Sequence, residues 1–186
     1  MKATSKGINA SDYLNFDTAL NTGLRLLNDS KTQKIGLYIL TSIYTGLRTG
    51  DIQHLRWEDF NEASFTVIEQ KTGKLRTIQI NDTLRKAIDK TRSGNGLIFL
   101  SQKKTVYTTQ ALNRILKDVF RKEAKTNNIS THSLRKTFGR RVYDSCNQSD
   151  YSLTLLSEMF AHSSTQITRI YLGLKQEEFD NVYINL

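Results

Sequence analysis

Several residue types are scarce or absent in this chain, and each shortage excludes a class of protein. Its 186 residues include one cysteine, Cys146, and no proline. A lone cysteine excludes both a disulfide framework and a cysteine-rich zinc site. No apolar run approaches the roughly 18 residues that a membrane span needs, and residues 1–6 lack the apolar stretch of a secretory signal. We therefore expect an intracellular protein with no membrane partner.

Positive charge is in excess. Lysine and arginine number 27 against 18 acidic residues, which gives a formal net charge of +9 and a sequence pI near 9.7. A domain pI above about 9 is typical of nucleic-acid-binding proteins when the basic residues gather on one face, although a merely soluble basic protein has the same composition. Because the basic residues are spread along the chain, a membrane-binding helix is the less favoured interpretation.

Hydrophobic spacing predicts a single, mainly α-helical domain with a small antiparallel β-hairpin, an α+β fold. The chain length fits one domain, and no linker or low-complexity run divides it. Apolar residues at spacings of three and four predict a helix beginning at Asp12, with Ser11 or Asp12 as its N-cap. Two further helices are predicted over 35–44 and 49–55.

The period of the pattern changes after Trp57. Alternating apolar residues at 65–67 and 78–80, around the turn 71–74, predict the hairpin. The rest of the chain returns to helical spacing, apart from a possible short strand at 97–100. Helices are predicted over 82–91, 108–122, 131–146, 151–160, 165–172 and 176–183.

Two arginines stand where predicted helices begin or end. His132 and Arg135 have the i, i+3 spacing that places both on one helix face, with Thr131 as the expected N-cap. Arg48 follows a glycine that ends an apolar helix, and Asp51 is close enough in the sequence to orient it. Taken separately, His132 and Arg135 are a surface pair at a helix start, and Arg48 and Asp51 are an ion pair at a helix terminus.

His162 and Tyr171 would lie on opposite sides of one continuous helix. The three hydroxyl residues at 163–165 are poor in helix interiors and good at N-caps, so we expect the helix to break there and bring the two side chains together. Each residue alone has a structural interpretation, and for Tyr171 this is a packed aromatic with a satisfied hydroxyl.

Taken together, these residues resemble the tyrosine recombinases, also called phage integrases. The resemblance covers about 38–174, and its motifs follow the family's order: T-G-L-R at 45–48, K-T-G-K at 71–74, H-S-L-R-K-T at 132–137, A-H-S-S at 161–164 and I-Y-L-G at 170–173. Ala161 departs from the glycine that the family usually has before its histidine.

The resemblance implies a catalytic set. Arg48 and Arg135 would clamp the scissile phosphate, with His132 and His162 at the family's two histidine positions and Tyr171 as the nucleophile. Lys71 would be the mobile catalytic lysine, although Lys74 is close enough to be its rival, and Asp51 would support the first arginine.

The function implied is that of a site-specific recombinase or integrase of a mobile element, acting on double-stranded DNA through a covalent 3′-phosphotyrosyl intermediate. A planar guanidinium can hold two phosphate oxygens at once, so neither a metal nor another cofactor is expected. Two alternatives are a non-catalytic DNA-binding regulator of the same fold and a tyrosine-type DNA topoisomerase.

The resemblance also implies an organisation. Family members typically carry an N-terminal core-binding domain, and little of this chain precedes the matched region, so 1–186 is interpreted as one catalytic domain, either a fragment or a naturally short protein. Its tail at 173–186 is expected to form a helix that is exchanged between protomers. A homotetramer on synapsed DNA is expected, with a monomer possible without DNA, in the cytoplasm and associated with the nucleoid.

Overall fold

The protein folds as a set of helices with a two-stranded hairpin. The computed structural model describes residues 11–186, and for residues 175–178 it describes the backbone only. The prediction of a mainly helical α+β fold is confirmed. The helices are α1 (Phe16–Leu26), α2 (Gln33–Thr45), α3 (Thr49–Gln53), α4 (Asp82–Thr91), α5 (Thr109–Val119), α6 (Thr131–Ser145), α7 (Asp150–Phe160), α8 (Thr165–Leu172) and α9 (Leu174–Asn185), and the strands are β1 (Ser64–Ile68) and β2 (Leu75–Gln79).

Helix α2 is the central element because it is apolar on nearly every side. Residues 35–43 are buried, and α1, α4 and α6 pack around them. The helix ends at Gly46, whose backbone is left-handed with φ of 60°. A Cβ at this position would lie 2.3 Å from the Phe138 ring. Glycine is therefore required both for the helix end and for the close approach of α6.

Buried side chains form two hydrophobic clusters. The larger one surrounds α2 and extends to the hairpin through Phe65, while the smaller one lies among α6, α7 and α8 around Phe138, Phe160 and Leu172. Arg48 and Arg135 lie where the two clusters meet, because both donate hydrogen bonds to the carbonyl oxygen of Phe160. We call this region, marked by Arg48, Arg135 and the carbonyl oxygen of Phe160, the seam between the clusters. Buried and partly buried cations at such a place indicate a functional site.

The hairpin is attached to the helices at both ends. Phe65 on β1 pairs with Ile78 on β2 and packs edge-on against Phe60, with ring centroids 4.9 Å apart. At the other end, the guanidinium of Arg76 donates from Nη2 to the carbonyl oxygen of Thr45 at 2.6 Å. The hairpin turn is therefore held beside the C-terminus of α2.

The N-caps of two helices differ from the predictions. Helix α1 begins at Phe16, and its N-cap is Asn15, which accepts from the Thr18 amide at 3.0 Å. Ser11 and Asp12 are not caps, because they bond to residues 130 and 128 near the start of α6. The N-cap of α6 is Ser130, one residue before the predicted Thr131.

The expected strand at 97–100 does not form. Leu97 and Leu100 each make one isolated β-bridge, to Arg56 and to Val106. Neither Arg56 nor Val106 belongs to a strand, so no ladder is formed. Other helix boundaries shift by at most three residues, and the helices predicted over 82–91 and 165–172 are confirmed at both ends. Within residues 11–186, no helix is long and apolar enough to cross a membrane.

Candidate active site

Arg48 is placed by the turn between α2 and α3. It is the N-cap residue of α3, and its side chain is about one-fifth exposed. Nη1 donates to Oε2 of Glu69 at 2.6 Å, and Nη2 donates to the carbonyl oxygen of Phe160 at 2.8 Å. A guanidinium has five N–H donors, so the side chain is oriented while part of its fork stays available to an anion.

Arg135 reaches the same carbonyl from α6. Its Nη1 donates to the carbonyl oxygen of Gly46 at 2.6 Å and its Nη2 to that of Phe160 at 3.3 Å. The guanidinium also lies over the Phe160 ring, 4.4 Å from the centroid. Desolvation lowers the pKa of Arg135 to about 10, and the Tyr171 hydroxyl opposes this change. The side chain is therefore still cationic at neutral pH.

The predicted break between His162 and Tyr171 is present. Helix α7 ends at Phe160, and its C-cap Ala161 lies in the left-handed region with φ of 53° and ψ of 47°. Ser164 caps α8 by accepting from the Ile167 amide. The two rings meet edge-on, with centroids 5.2 Å apart. The prediction that a break between two helices brings these side chains together is confirmed.

Tyr171 lies in the smaller hydrophobic cluster with its hydroxyl buried. Its ring packs edge-on against Phe160 at 5.4 Å, and Nζ of Lys136 lies 5.1 Å from its centroid. The hydroxyl makes no hydrogen bond of regular geometry within residues 11–186, yet Arg135 is near enough to act on its ionisation. Burial raises the pKa of Tyr171, and the charges of Arg135 and Arg48 oppose this rise.

Both histidines are held in their neutral form by their surroundings. His132 is exposed in the first turn of α6, where desolvation by its neighbours and the charge of Arg135 lower its pKa. Desolvation and the same arginine lower the pKa of His162, whose Nδ1 is 3.0 Å from Oγ1 of Thr168. Lys71 contributes to both shifts. A neutral imidazole can accept a proton, which a cationic one cannot.

Lys71 and Lys74 are both exposed in the hairpin turn. The charge of Lys71 acts on both histidines. Lys74 lines a cleft of about 640 Å³ together with His162 and Ala161. Lys71 thus acts on both imidazoles through its charge, while Lys74 shares a cleft with His162.

Asp51 has a different partner from the one expected. Its Oδ1 accepts from the backbone amide of Gln70 at 2.9 Å, and Arg48 is paired with Glu69 instead. Asp51 therefore supports the base of the hairpin turn, and the carboxylate that orients Arg48 comes from the hairpin itself.

Glu69 and Arg76 also contribute to the site, and neither was predicted from the sequence. Glu69 is 2% exposed, and Arg76 donates to the carbonyl oxygens of Thr45 and Met159. A signal was present, because both charges continue the inward-facing alternation of the hairpin: position 69 follows 65 and 67, and position 76 precedes 78. A charge on an inward face must be paired.

The side chains at the seam suit an anion. Two guanidinium groups converge on one carbonyl oxygen, and two neutral imidazoles, a buried phenol and an exposed lysine surround them. Positioned cations of this kind stabilise the charge that develops on a phosphate under attack. In the described part of the chain, no group of three or more His, Cys, Asp or Glu residues could hold a metal ion.

Known proteins are similar in sequence to most of this chain. The model of the phage integrase family matches residues 24–178. A probable integrase/recombinase of Bacillus subtilis (strain 168), YoeC, is 32% identical over 160 residues, which cover 82% of this chain and 83% of that protein. The tyrosine recombinase XerC of Oceanobacillus iheyensis is 23% identical over 160 residues, 78% of this chain and 51% of XerC. The chain thus spans about half the length of that relative.

Solved structures share the fold. XerH recombinase in its post-cleavage complex with palindromic difH substrate is 20% identical with a TM-score of 0.67, covering 97% of this chain and 54% of XerH. The integrase of transposon Tn1549, in complex with circular intermediate DNA, is 18% identical with a TM-score of 0.67, covering 95% and 68%. The sequence match across 24–178 and the arrangement at the seam agree with this fold, and the chain belongs to the phage integrase family of tyrosine recombinases, enzymes that cleave and rejoin DNA.

Proposed function

We propose that this chain cleaves and rejoins double-stranded DNA at specific sites through a covalent 3′-phosphotyrosyl bond to Tyr171. The observation that carries the proposal is the convergence of Arg48 and Arg135 on the carbonyl oxygen of Phe160, whose ring also packs against Tyr171. Two cationic side chains that can bind an anion therefore lie close to a phenol. DNA-bound relatives, among them an integrase of a transposon, support DNA as the partner and a mobile element as the source.

The proposed step exchanges one phosphoester for another. The Tyr171 oxygen attacks the phosphorus and the bond to the 5′-oxygen breaks, which leaves the 3′-phosphate on the protein. The two arginines hold the non-bridging oxygens with the donors that the protein leaves open. The bond energy is retained in the phosphotyrosine, so a second 5′-hydroxyl can reseal the strand without ATP.

Two protons must move in this step. The phenol loses one, and we assign its acceptor to His132, whose lowered pKa keeps the ring neutral. His162 is the second candidate because its ring contacts Tyr171 directly. The departing 5′-oxygen gains a proton. We assign Lys71 as the donor in preference to Lys74, because the charge of Lys71 acts on both imidazoles.

A nicked suicide substrate tests this proposal, because loss of the short strand traps the covalent complex. The substrate sequence comes from sequencing DNA that is trapped on the protein in cells. Tyr171→Phe should abolish covalent capture and leave DNA binding nearly intact. Tyr151→Phe is the matched control, since Tyr151 is an exposed tyrosine at 72%, and it should leave capture unchanged.

Other outcomes would redirect the assignment. Wild-type protein that binds DNA but never forms a covalent complex would indicate a non-catalytic regulator. Relaxation of any supercoiled plasmid, without preference for a sequence, would indicate a topoisomerase. Capture that survives Tyr171→Phe would show that another residue is the nucleophile.

We further propose that the chain acts as one catalytic domain and assembles as a tetramer on DNA through its tail. Residues 1–10 of the predicted unit 1–186 lie outside the described residues. Helix α9 exposes large apolar side chains at its end, and these are the surface offered to a second copy: Val182, Tyr183, Ile184 and Leu186, exposed at 57%, 78%, 79% and 98%. We place this assembly in the cytoplasm, at the nucleoid.

Truncation after Asn181 tests the tail. It removes the exposed apolar end and keeps Leu174, which is 3% exposed in the smaller hydrophobic cluster. The truncated protein should keep its melting temperature but sediment as a smaller species on DNA than the full chain. An unchanged DNA-bound assembly would refute the role of the tail.

A further inference from the structure

Glu69 joins two parts of the site that come from different regions of the chain. It directly follows β1 and is 2% exposed. Its Oε2 accepts from Nη1 of Arg48 at 2.6 Å and from Oγ1 of Thr72 at 2.9 Å. One carboxylate oxygen therefore bonds both to the arginine from the α2–α3 turn and to the hairpin turn that carries Lys71.

The backbone of Glu69 shapes the same turn. Its amide donates to the carbonyl oxygen of Lys74 at 2.9 Å, and its own carbonyl oxygen accepts from the amides of Thr72 and Gly73 at 3.2 and 2.8 Å. Lys71 lies inside this set of hydrogen bonds. The position of the turn is thus linked directly to the residue that orients Arg48.

The carboxylate is ionised where it lies. Burial would raise the pKa of Glu69, but the hydrogen bonds from Arg48 and Thr72 lower it below its usual value, with the charge of Arg76 adding to this effect. Nη1 of Arg76 lies 3.7 Å from Oε1. A negative charge at this point offsets the mutual repulsion of the buried guanidinium groups.

We propose that Glu69 is a positioning residue that couples the Lys71 turn to the Arg48 clamp, so that the proton donor for the leaving oxygen is in place when the phosphate is held. This inference rests on the proposed function, in which Lys71 protonates the 5′-oxygen. Glu69 does not touch the DNA in this proposal, and it acts through the two residues that do.

Two substitutions break the coupling to different extents. Glu69→Gln removes the charge and keeps an acceptor oxygen. Thr72→Val removes only the hydroxyl that bonds to Glu69, in a side chain of the same shape. Thr66→Val is the matched control, because Thr66 lies on the same hairpin and its hydroxyl bonds at 2.9 Å to that of Thr77, on the exposed side.

The readout compares two suicide substrates that differ in one atom. One has the ordinary 5′-oxygen at the cleaved bond, and the other has a bridging sulfur. A thiol has a pKa of about 8.5, so sulfur leaves without a proton donor. Positioned acids contribute about a hundredfold or more to such steps. Lys71→Ala should therefore slow cleavage of the oxygen substrate strongly and of the sulfur substrate little.

If Glu69 couples the two parts, its variants should follow the pattern of Lys71→Ala. We expect Glu69→Gln to slow oxygen-substrate cleavage about tenfold or more, and Thr72→Val about threefold to tenfold, which is the net effect of one typical hydrogen bond. Thr72→Val should lose less than about threefold on the sulfur substrate. Glu69→Gln also removes the charge that orients Arg48, so it should lose some activity on the sulfur substrate but clearly less than on the oxygen substrate. Thr66→Val should match wild type on both.

Three outcomes would overturn the inference. Equal losses on both substrates would mean that Glu69 serves only the phosphate site or the fold, and melting temperatures would separate these two. Faster cleavage by Glu69→Gln would show a carboxylate that competes with the phosphate. Wild-type rates in both Glu69→Gln and Thr72→Val would show that Glu69 does not couple the two parts. Failure of wild-type protein to cleave either substrate would instead overturn the proposed function itself.

Discussion

Ala161 holds a backbone conformation that suits glycine, and it directly precedes His162. Its φ of 53° and ψ of 47° lie in the left-handed region. Two hydrogen bonds fix this conformation: the Ala161 amide donates to the carbonyl oxygen of Glu158 at 3.0 Å, and the His162 amide donates to that of Ser157 at 2.9 Å. This is the Schellman pattern, in which glycine is the usual residue.

The expected effect of Ala161→Gly follows from two opposing terms. A left-handed backbone costs a residue with a Cβ roughly 1 to 2 kcal/mol, which glycine does not incur. Glycine also has more freedom in the unfolded chain, which lowers stability by about 0.4 to 1 kcal/mol. The difference predicts a gain of about 0.5 to 1 kcal/mol, or a melting temperature higher by about 2 °C in a chain of this length.

Urea unfolding of the two proteins measures this gain as an increase in the free energy of unfolding. Ala87→Gly in the middle of α4 is the control of opposite sign, because a helix-interior glycine costs about 1 kcal/mol. Covalent capture by Ala161→Gly should stay near wild type, since the hydrogen bonds that place His162 come from the backbone. A loss of stability comparable to that of Ala87→Gly would refute the left-handed assignment at Ala161.

Three further predictions concern the site itself. Desolvation lowers the pKa of His132 and of His162, so a pH–rate profile of covalent capture should fall on the acid side only below about pH 6.5, as the neutral rings become protonated. Arg135→Lys should lower capture about a hundredfold or more, because an ammonium cannot reproduce the fork that holds both helix ends; gel quantification measures this loss. Arg76→Met removes hydrogen bonds to two carbonyl oxygens and should lower the free energy of unfolding by about 2 to 4 kcal/mol in urea titration.

Local patterns were sufficient to predict most of the helices and the break between α7 and α8. The break before Tyr171 is an example, because hydroxyl residues at a helix start act on amides within the same turn. The start of α1 was not predictable in this way. Ser11 and Asp12 are good caps by type, but they bond to residues more than a hundred positions away, and Asn15 takes the local role.

The partner of Arg48 shows the same limit within the site. Asp51 is near it in sequence, which favours an ion pair on local grounds, yet Glu69 supplies the carboxylate from the hairpin. The choice depends on how the hairpin docks against the helices, and Arg76 fixes that docking through carbonyl oxygens. Spacing along the chain shows that position 69 faces inward, but it carries no information about which cation Glu69 will meet.

The arginines of this site are held mainly by helix ends, and this explains how they can serve a phosphate. The last carbonyl oxygens of a helix lack partners within it and carry partial negative charge. Those at the end of α2, on Thr45 and Gly46, and those at the end of α7, on Met159 and Phe160, accept the guanidinium hydrogens. Neutral carbonyl groups orient a cation without cancelling its charge, whereas carboxylates would cancel it. With Glu69 as the one acid bonded to Arg48 among the described contacts, the cluster keeps an excess of positive charge for an incoming phosphodiester.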